Sequence, residues 1–175
     1  MAENTKIEWA HHTPHVGRVP GGDAMIRVSF VNTNVAVPNY PMAALTLWQP
    51  WASLIVHGLK EYETRGWQPS PNRLKIGDPI VIHAAKREPE RIAELWQYVK
   101  LITPTWGDLP TGCVLGYGYF QGVRPIHKFT DWPSRQERAL GDWSPGRQAW
   151  RITDLHVFAK PIPVTGKQGL WEWKP

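Results

Sequence analysis

A chain of 175 residues, 42% of them hydrophobic, is long enough for one domain with a sizeable core. No run approaches the ~18 consecutive apolar residues of a membrane helix, and one cysteine, Cys113, excludes an intrachain disulfide. Net charge is +5. Lys6, Arg18 and Arg27 balance Glu3, Glu8 and Asp23 before residue 42, so the positive excess belongs to residues 42–175, a footprint that suits a nucleic-acid binder or simply a basic soluble protein.

In chain order, residues 1–24 mix polar residues with Pro14, Gly17, Pro20, Gly21 and Gly22 and hold no period, which predicts poor order. The opening MAENTKIEWAHH lacks a basic stretch followed by an apolar one. That argues against a signal peptide and, with the lone cysteine, for a cytoplasmic protein. His11, His12 and His15 have no cysteine or acid at fixed spacing, and no metal site is assigned to them. Residues 25–37 alternate in part and are β-branched, which suits an added strand. VPNYP, stiffened by Pro38 and Pro41, is a linker, and the main domain is placed at 42–175. Residues 1–41 are thus an N-terminal extension and linker, partly disordered.

Ala44 to Leu47 forms a short strand, and QPWASLIVHG a short helix that Pro50 opens and Gly58 stops. EYETRGW is a strand. A turn at Gly77–Asp78 leads to a buried strand from Ile80 to Ala84. EPERIAELWQYVKLI is an amphipathic helix: Ile92, Leu95, Trp96 and Val99 share a face, while Glu88 and Glu90 sit at its positive end. GCVLGYGYFQGVRPI is a long strand marked by glycines, AWRITDLHVFAKPIPV is one or two strands, and GLWEW closes the chain. The class is α+β. Many short strands with two or three inserted helices predict a small barrel of about five to six strands, closed or nearly so.

Alternation along EYETRGW puts Glu61, Glu63, Arg65 and Trp67 on one face and Tyr62 and Thr64 on the other. Glu63 and Arg65 stand about 7 Å apart along such a strand, near enough for the arginine to hold the carboxylate. Lys60 follows the glycine stop and can turn toward the same space. A lysine there neutralises a phosphate or, desolvated, acts as base or nucleophile. The bland alternative is a solvated charged face, where such pairs are worth little. His83 and Lys86 form a second cluster, with Lys86 just before a helix N-terminus that favours anions. Trp48, Gln49 and Trp51 form a third: one ring to stack on a base and one amide to read its edge, or rings that pack the helix start. Ten of the eleven tryptophans lie beyond residue 41; most suit the core and a few suit base stacking. No zinc spacing, phosphate-binding glycine loop or nucleophile elbow is present, and no cofactor is expected.

Gly58, Lys60, Glu63 and Arg65 spell G-x-K-x-x-E-x-R, flanked by LTLWQPWASLI, IVIHAAK and PIPVTGKQGLWEW. This pattern resembles the ASCH domain of the PUA-like β-barrel superfamily, in the form common in phages and bacteria, over about residues 42–175. The resemblance implies a PUA-like barrel with a cleft lined by Lys60, Glu63 and Arg65. Trp48, Gln49, Trp67, His83 and Lys86 are added as neighbours by inference. It implies a nucleic-acid-binding module whose partner is single-stranded RNA or a modified, extruded nucleotide, with no membrane association. It also implies an enzymatic alternative with Lys60 and Glu63 catalytic: an amidohydrolase acting on acylated nucleosides, or a metal-dependent ribonuclease. The amidohydrolases have threonine where this chain has Glu63, and alternation turns the adjacent Thr64 the other way.

Overall fold

The computed structural model describes residues 31–87 and 93–175. Among the described residues seven strands form one mixed sheet: β1 Val31–Val35, β2 Met42–Leu47, β3 Tyr62–Arg65, β4 Pro79–Ala84, β5 Cys113–Pro125, β6 Gln148–Pro163 and β7 Leu170–Trp173. Their order is β1-β6-β5-β4-β2-β7, with β3 paired to β6 off that path. Helices α1 (Trp51–Val56), α2 (Ala93–Ile102) and α3 (Arg135–Ala139) are inserted between strands. The α+β class is as expected.

Most pairings are antiparallel, but β2 lies parallel to β4 and β1 parallel to β6. The added strand expected in residues 25–37 is therefore present as β1, with Val31 opposite Leu155. The segment AWRITDLHVFAKPIPV is a single strand, and β6 pairs with β5 from Gln148 to Pro163. Backbone pairing does not close the sheet, because nothing joins β3 to β2 or β7. Two arginines span the gap instead: Arg65 donates to the Thr46 carbonyl at 3.1 Å, and Arg73 to that of Leu170. The open seam is where the cavity described below forms.

Alternation on the sheet gives two apolar faces. Leu45, Ile80, Ile82, Leu115, Phe120, Trp150, Ile152 and Leu155 fill the inside with α1. Met42, Val81, Tyr117, Phe158, Trp171 and Trp173 pack on the other face. Trp150 is fully buried, so the core use expected of most tryptophans holds for it. Leu95, Trp96 and Val99 of α2 pack against Leu54 and Leu140, whereas Glu88, Glu90 and Ile92 lie outside the described residues, as do His11, His12 and His15. Among the described residues no helix is long and apolar enough to cross a membrane.

Candidate functional site

Helix α1 ends in a backbone device that aims the next residues. Gly58 is left-handed at φ 71°. Its N–H bonds to Ile55 O at 2.9 Å, and that of Leu59 reaches back to Leu54 O at 2.9 Å. This pairing is a Schellman stop, which a side chain with a Cβ would strain. The chain leaves it with Lys60 turned inward, and Lys60 is only 1% exposed.

Lys60 Nζ meets Glu137 Oε1 at 2.8 Å. Glu137 comes from α3, where Ser134 caps the helix by accepting the Glu137 N–H at 3.1 Å. The same carboxylate accepts the N–H of Glu61 at 2.7 Å and that of Tyr62 at 3.2 Å. One buried acid therefore fixes both the lysine and the entry to β3. Gly141 closes over the pair: a Cβ there would stand 2.9 Å from Lys60 Nζ.

A cavity of about 650 Å³ opens above this floor, within the size range of small-ligand sites. Thr46 and Leu47 of β2, Trp48 and Trp51 at the start of α1, and Lys60 line one side. Glu63, Thr64 and Arg65 of β3, Gly141, Asp142 and Arg147 before β6, and the loop 166–169 before β7 line the rest. Lys60, Arg65, Arg147 and Lys167 line the cavity with Glu63 and Asp142, and Glu137 behind Lys60 brings the balance to four cations against three carboxylates. Arg65 Nε lies 2.9 Å from Glu63 Oε1, although its N–H does not point along that line. Arg147 pairs with Asp142 at 3.2 Å and donates to the Thr64 carbonyl at 2.8 Å. Burial pushes the Glu63 carboxyl above its ordinary range, against the pull of Arg65 and Lys60.

Some buried polar atoms make no hydrogen bond. Among the described residues these are Arg65 Nε, His83 Nδ1, Arg147 Nε and Gln148 Oε1. Arg65 and Arg147 line the cavity, and Gln148 stands opposite Arg65 in the β3–β6 register. Such groups are uncommon inside proteins, and a water, ion or ligand in the cavity would complete the bonding of the two arginines.

The structure sorts the eight residues singled out in the sequence. Lys60, Glu63, Arg65 and Trp48 meet at the cavity, and Trp48 is 53% exposed at its rim. His83 is buried just behind the wall, its Nε2 3.0 Å from Val164 O, and burial lowers its pKa. Gly166 packs against it so closely that a Cβ would collide with its ring. Gln49, Trp67 and Lys86 are not brought to the cavity. The Gln49 amide is fully buried and bonded to Ser53 and to Pro110 O, so it locks the start of α1 rather than facing a ligand. Trp67 packs edge-on against Trp150, 4.7 Å away, and Lys86 is exposed beside Gly112. Glu61 turns away to pair with Arg151.

Glu137, Asp142, Arg147 and Lys167 were not among the expected residues. Only Glu137 has a local signature: Ser134–x–x–Glu137 reads as a helix start. Nothing in that spacing tells that its carboxylate meets a lysine 77 positions earlier. Among the described residues no three His, Cys, Asp or Glu side chains are grouped to hold a metal.

The family model described as the ASCH domain matches residues 45–162. The human protein activating signal cointegrator 1 is 37% identical over 76 residues, and its mouse counterpart 34% over the same length. Each alignment covers 41% of this chain but only 13% of the relative, so the chain spans a small part of those proteins. The crystal structure of ASCH from Zymomonas mobilis superposes with a TM-score of 0.47 at 18% identity, covering 76% of this chain and 87% of that one. A variant of that protein gives 0.46 at 18% identity over 79% and 92%.

Proposed function

Since the chain belongs to the ASCH domain family, matched over residues 45–162, we propose that its cavity holds one nucleotide of a single-stranded RNA. The observation that carries this reading is the set of cations around a space of nucleotide size, with Arg65 and Arg147 each keeping an Nε that makes no hydrogen bond. Arg65, Arg147 and Lys167 face phosphate or base carbonyls, and Trp48 stacks at the rim. Lys60, held and compensated by Glu137, sets the floor instead of reaching out as a free hand, and Arg65, Arg147 and Lys167 supply the positive potential. Glu63 orients Arg65 or accepts a base amino proton. A modified base fits the same space.

The test is titration of labelled single-stranded RNA against wild type and Arg65→Ala over a range of salt. Affinity is expected to fall steeply with salt, and Arg65→Ala to lower the logarithmic slope by about one. A salt-independent affinity, or one that ignores Arg65→Ala, would sink the reading.

Glu63 adds a pH dependence. Its carboxyl holds its proton above the ordinary range, and the protonated form leaves Arg65 uncompensated. Anion affinity should therefore rise as pH falls toward that raised value, and Glu63→Gln should flatten the curve at its high end. The same titrations run between pH 8 and 5 check this; an unchanged curve in Glu63→Gln assigns the dependence elsewhere.

A second reading, an amidohydrolase acting on an acylated nucleoside, is favoured by one observation. Thr64 lines the cavity beside Glu63 and Lys60, although alternation had turned it away. Here Lys60 would be base or nucleophile and Glu63 its acid–base partner. Turnover of acetylcytidine, abolished by Lys60→Met in a protein that still folds, selects this reading. Cleavage of labelled RNA only when a divalent cation is added selects a ribonuclease.

A further inference from the structure

The segment between β5 and β6 carries an aromatic group that the cavity does not use. Trp132 is 51% exposed. Its ring lies over Phe129, with centroids 6.3 Å apart and planes at 30°, and meets Trp143 at 6.3 Å. Phe129 and Trp143 are in edge contact at 5.6 Å, and Tyr62 touches both at 5.8 Å. Phe129 is buried, and Arg124 lies over it at 4.4 Å. Trp132 is thus a large ring set on a firm aromatic bed with about half its surface open. A base-stacking platform needs that arrangement, because a ring fixed from behind loses little freedom when a base covers its front.

Its position ties it to the cavity. Trp143 donates to Glu137 O at 3.2 Å, and its ring centre is 6.0 Å from Lys60 Nζ. Successive steps of 6.0 and 6.3 Å leave the Trp132 ring at most 12.3 Å from that nitrogen. Charge points the same way. Lys128, Arg135 and Arg138 are exposed in residues 126–143 against the exposed acids Asp131 and Asp142, the second of them paired with Arg147, while Glu137 is buried.

We propose that Trp132, backed by Phe129 and Trp143, is a second subsite that stacks the base adjoining the nucleotide in the cavity, with Lys128, Arg135 and Arg138 meeting the strand's phosphates. The occupant is single-stranded nucleic acid, because the group couples an open aromatic face to excess positive charge. The subsite rests on the reading of the cavity as a nucleotide site, and its test separates the two.

The test compares a nucleoside monophosphate, by calorimetry, with an RNA of about eight nucleotides, by anisotropy, a length within the range such surfaces cover. Trp132→Ala should weaken the oligonucleotide about fivefold or more and leave the monophosphate unchanged, while Trp132→Phe keeps most of the affinity. Replacing Arg135 and Arg138 by serine should lower the salt slope for the oligonucleotide only. If Trp132→Ala, folded as judged by its melting temperature, binds the oligonucleotide like wild type, the subsite is refuted and the cavity reading stands. If Arg65→Ala spares both ligands while Trp132→Ala weakens the oligonucleotide, the cavity reading falls and the stacking site survives. If wild type binds neither ligand, both are overturned.

Discussion

Glu137→Ala is expected to destabilise the protein by about 3–5 kcal/mol, the range for removing one partner of a buried ion pair. Lys60 is 1% exposed and Glu137 6%, so water cannot replace the lost carboxylate. The substitution strands an ammonium and also removes the carboxylate that two backbone donors, Glu61 N and Tyr62 N, reach. Part of the loss should be recoverable. Lys60→Met combined with Glu137→Leu removes both charges and keeps the volume, and buried pairs replaced in this way are often neutral or better. The two amide donors still lack that carboxylate in the double variant, so recovery should be incomplete. Guanidinium unfolding of wild type, both single variants and the double variant closes the cycle, and a coupling energy below about 1 kcal/mol would show that the pair is solvated and the floor of the cavity misread.

That pair also marks where sequence reasoning stops. The stop at Gly58 was legible because left-handed backbone has a residue signature, and it delivers Lys60 to the place expected. The strand after it was legible from its alternating pattern, and the added strand from its β-branched residues. Glu137 was not, because a carboxylate 77 residues away reaches Lys60 only through the path of the chain. Thr64 was misplaced for a different reason. Alternation sorts the two faces of a strand, but β3 pairs only with β6 and leaves its other edge free. The cavity borders that free edge, so Glu63, Thr64 and Arg65 all reach it. Gln49 erred the other way: its amide has the chemistry to read a base, yet Ser53 and Pro110 consume it. Composition names the groups a chain can offer a ligand; only their partners decide which remain on offer.

The largest effect of any single added carbon is expected at Gly116, in the glycine-marked strand. It lies opposite Val157 where β5 and β6 shift register. A Cβ there would fall inside the His156 carbonyl oxygen and stand 2.9 Å from Val56 Cγ2. A side-chain tip can rotate away; a carbonyl held in a strand pair cannot, so Gly116→Ala must part β5 from β6. A cost of roughly 4 kcal/mol or more follows, at the extreme of single substitutions. Gly118→Ala should cost less. Its Cβ would meet Ile152 Cγ2 at 2.7 Å and Leu155 Cδ2 at 2.8 Å, side-chain atoms of which the leucine tip yields more readily than the β-branched isoleucine, with the Thr153 carbonyl farther at 3.0 Å. Gly107→Ala meets nothing within 4 Å and should stay within about 0.5 kcal/mol of wild type. Thermal melts of the three variants should rank them in that order. Because β6 pairs with β3 through Gln148–Arg151 and its start adjoins Arg147, a strand displaced at Gly116 should loosen the cavity as well. Any Gly116→Ala protein recovered in soluble form should therefore bind RNA more weakly than Gly107→Ala. A Gly116→Ala variant with wild-type melting temperature and affinity would mean that β5 and β6 do not approach as closely as the register requires.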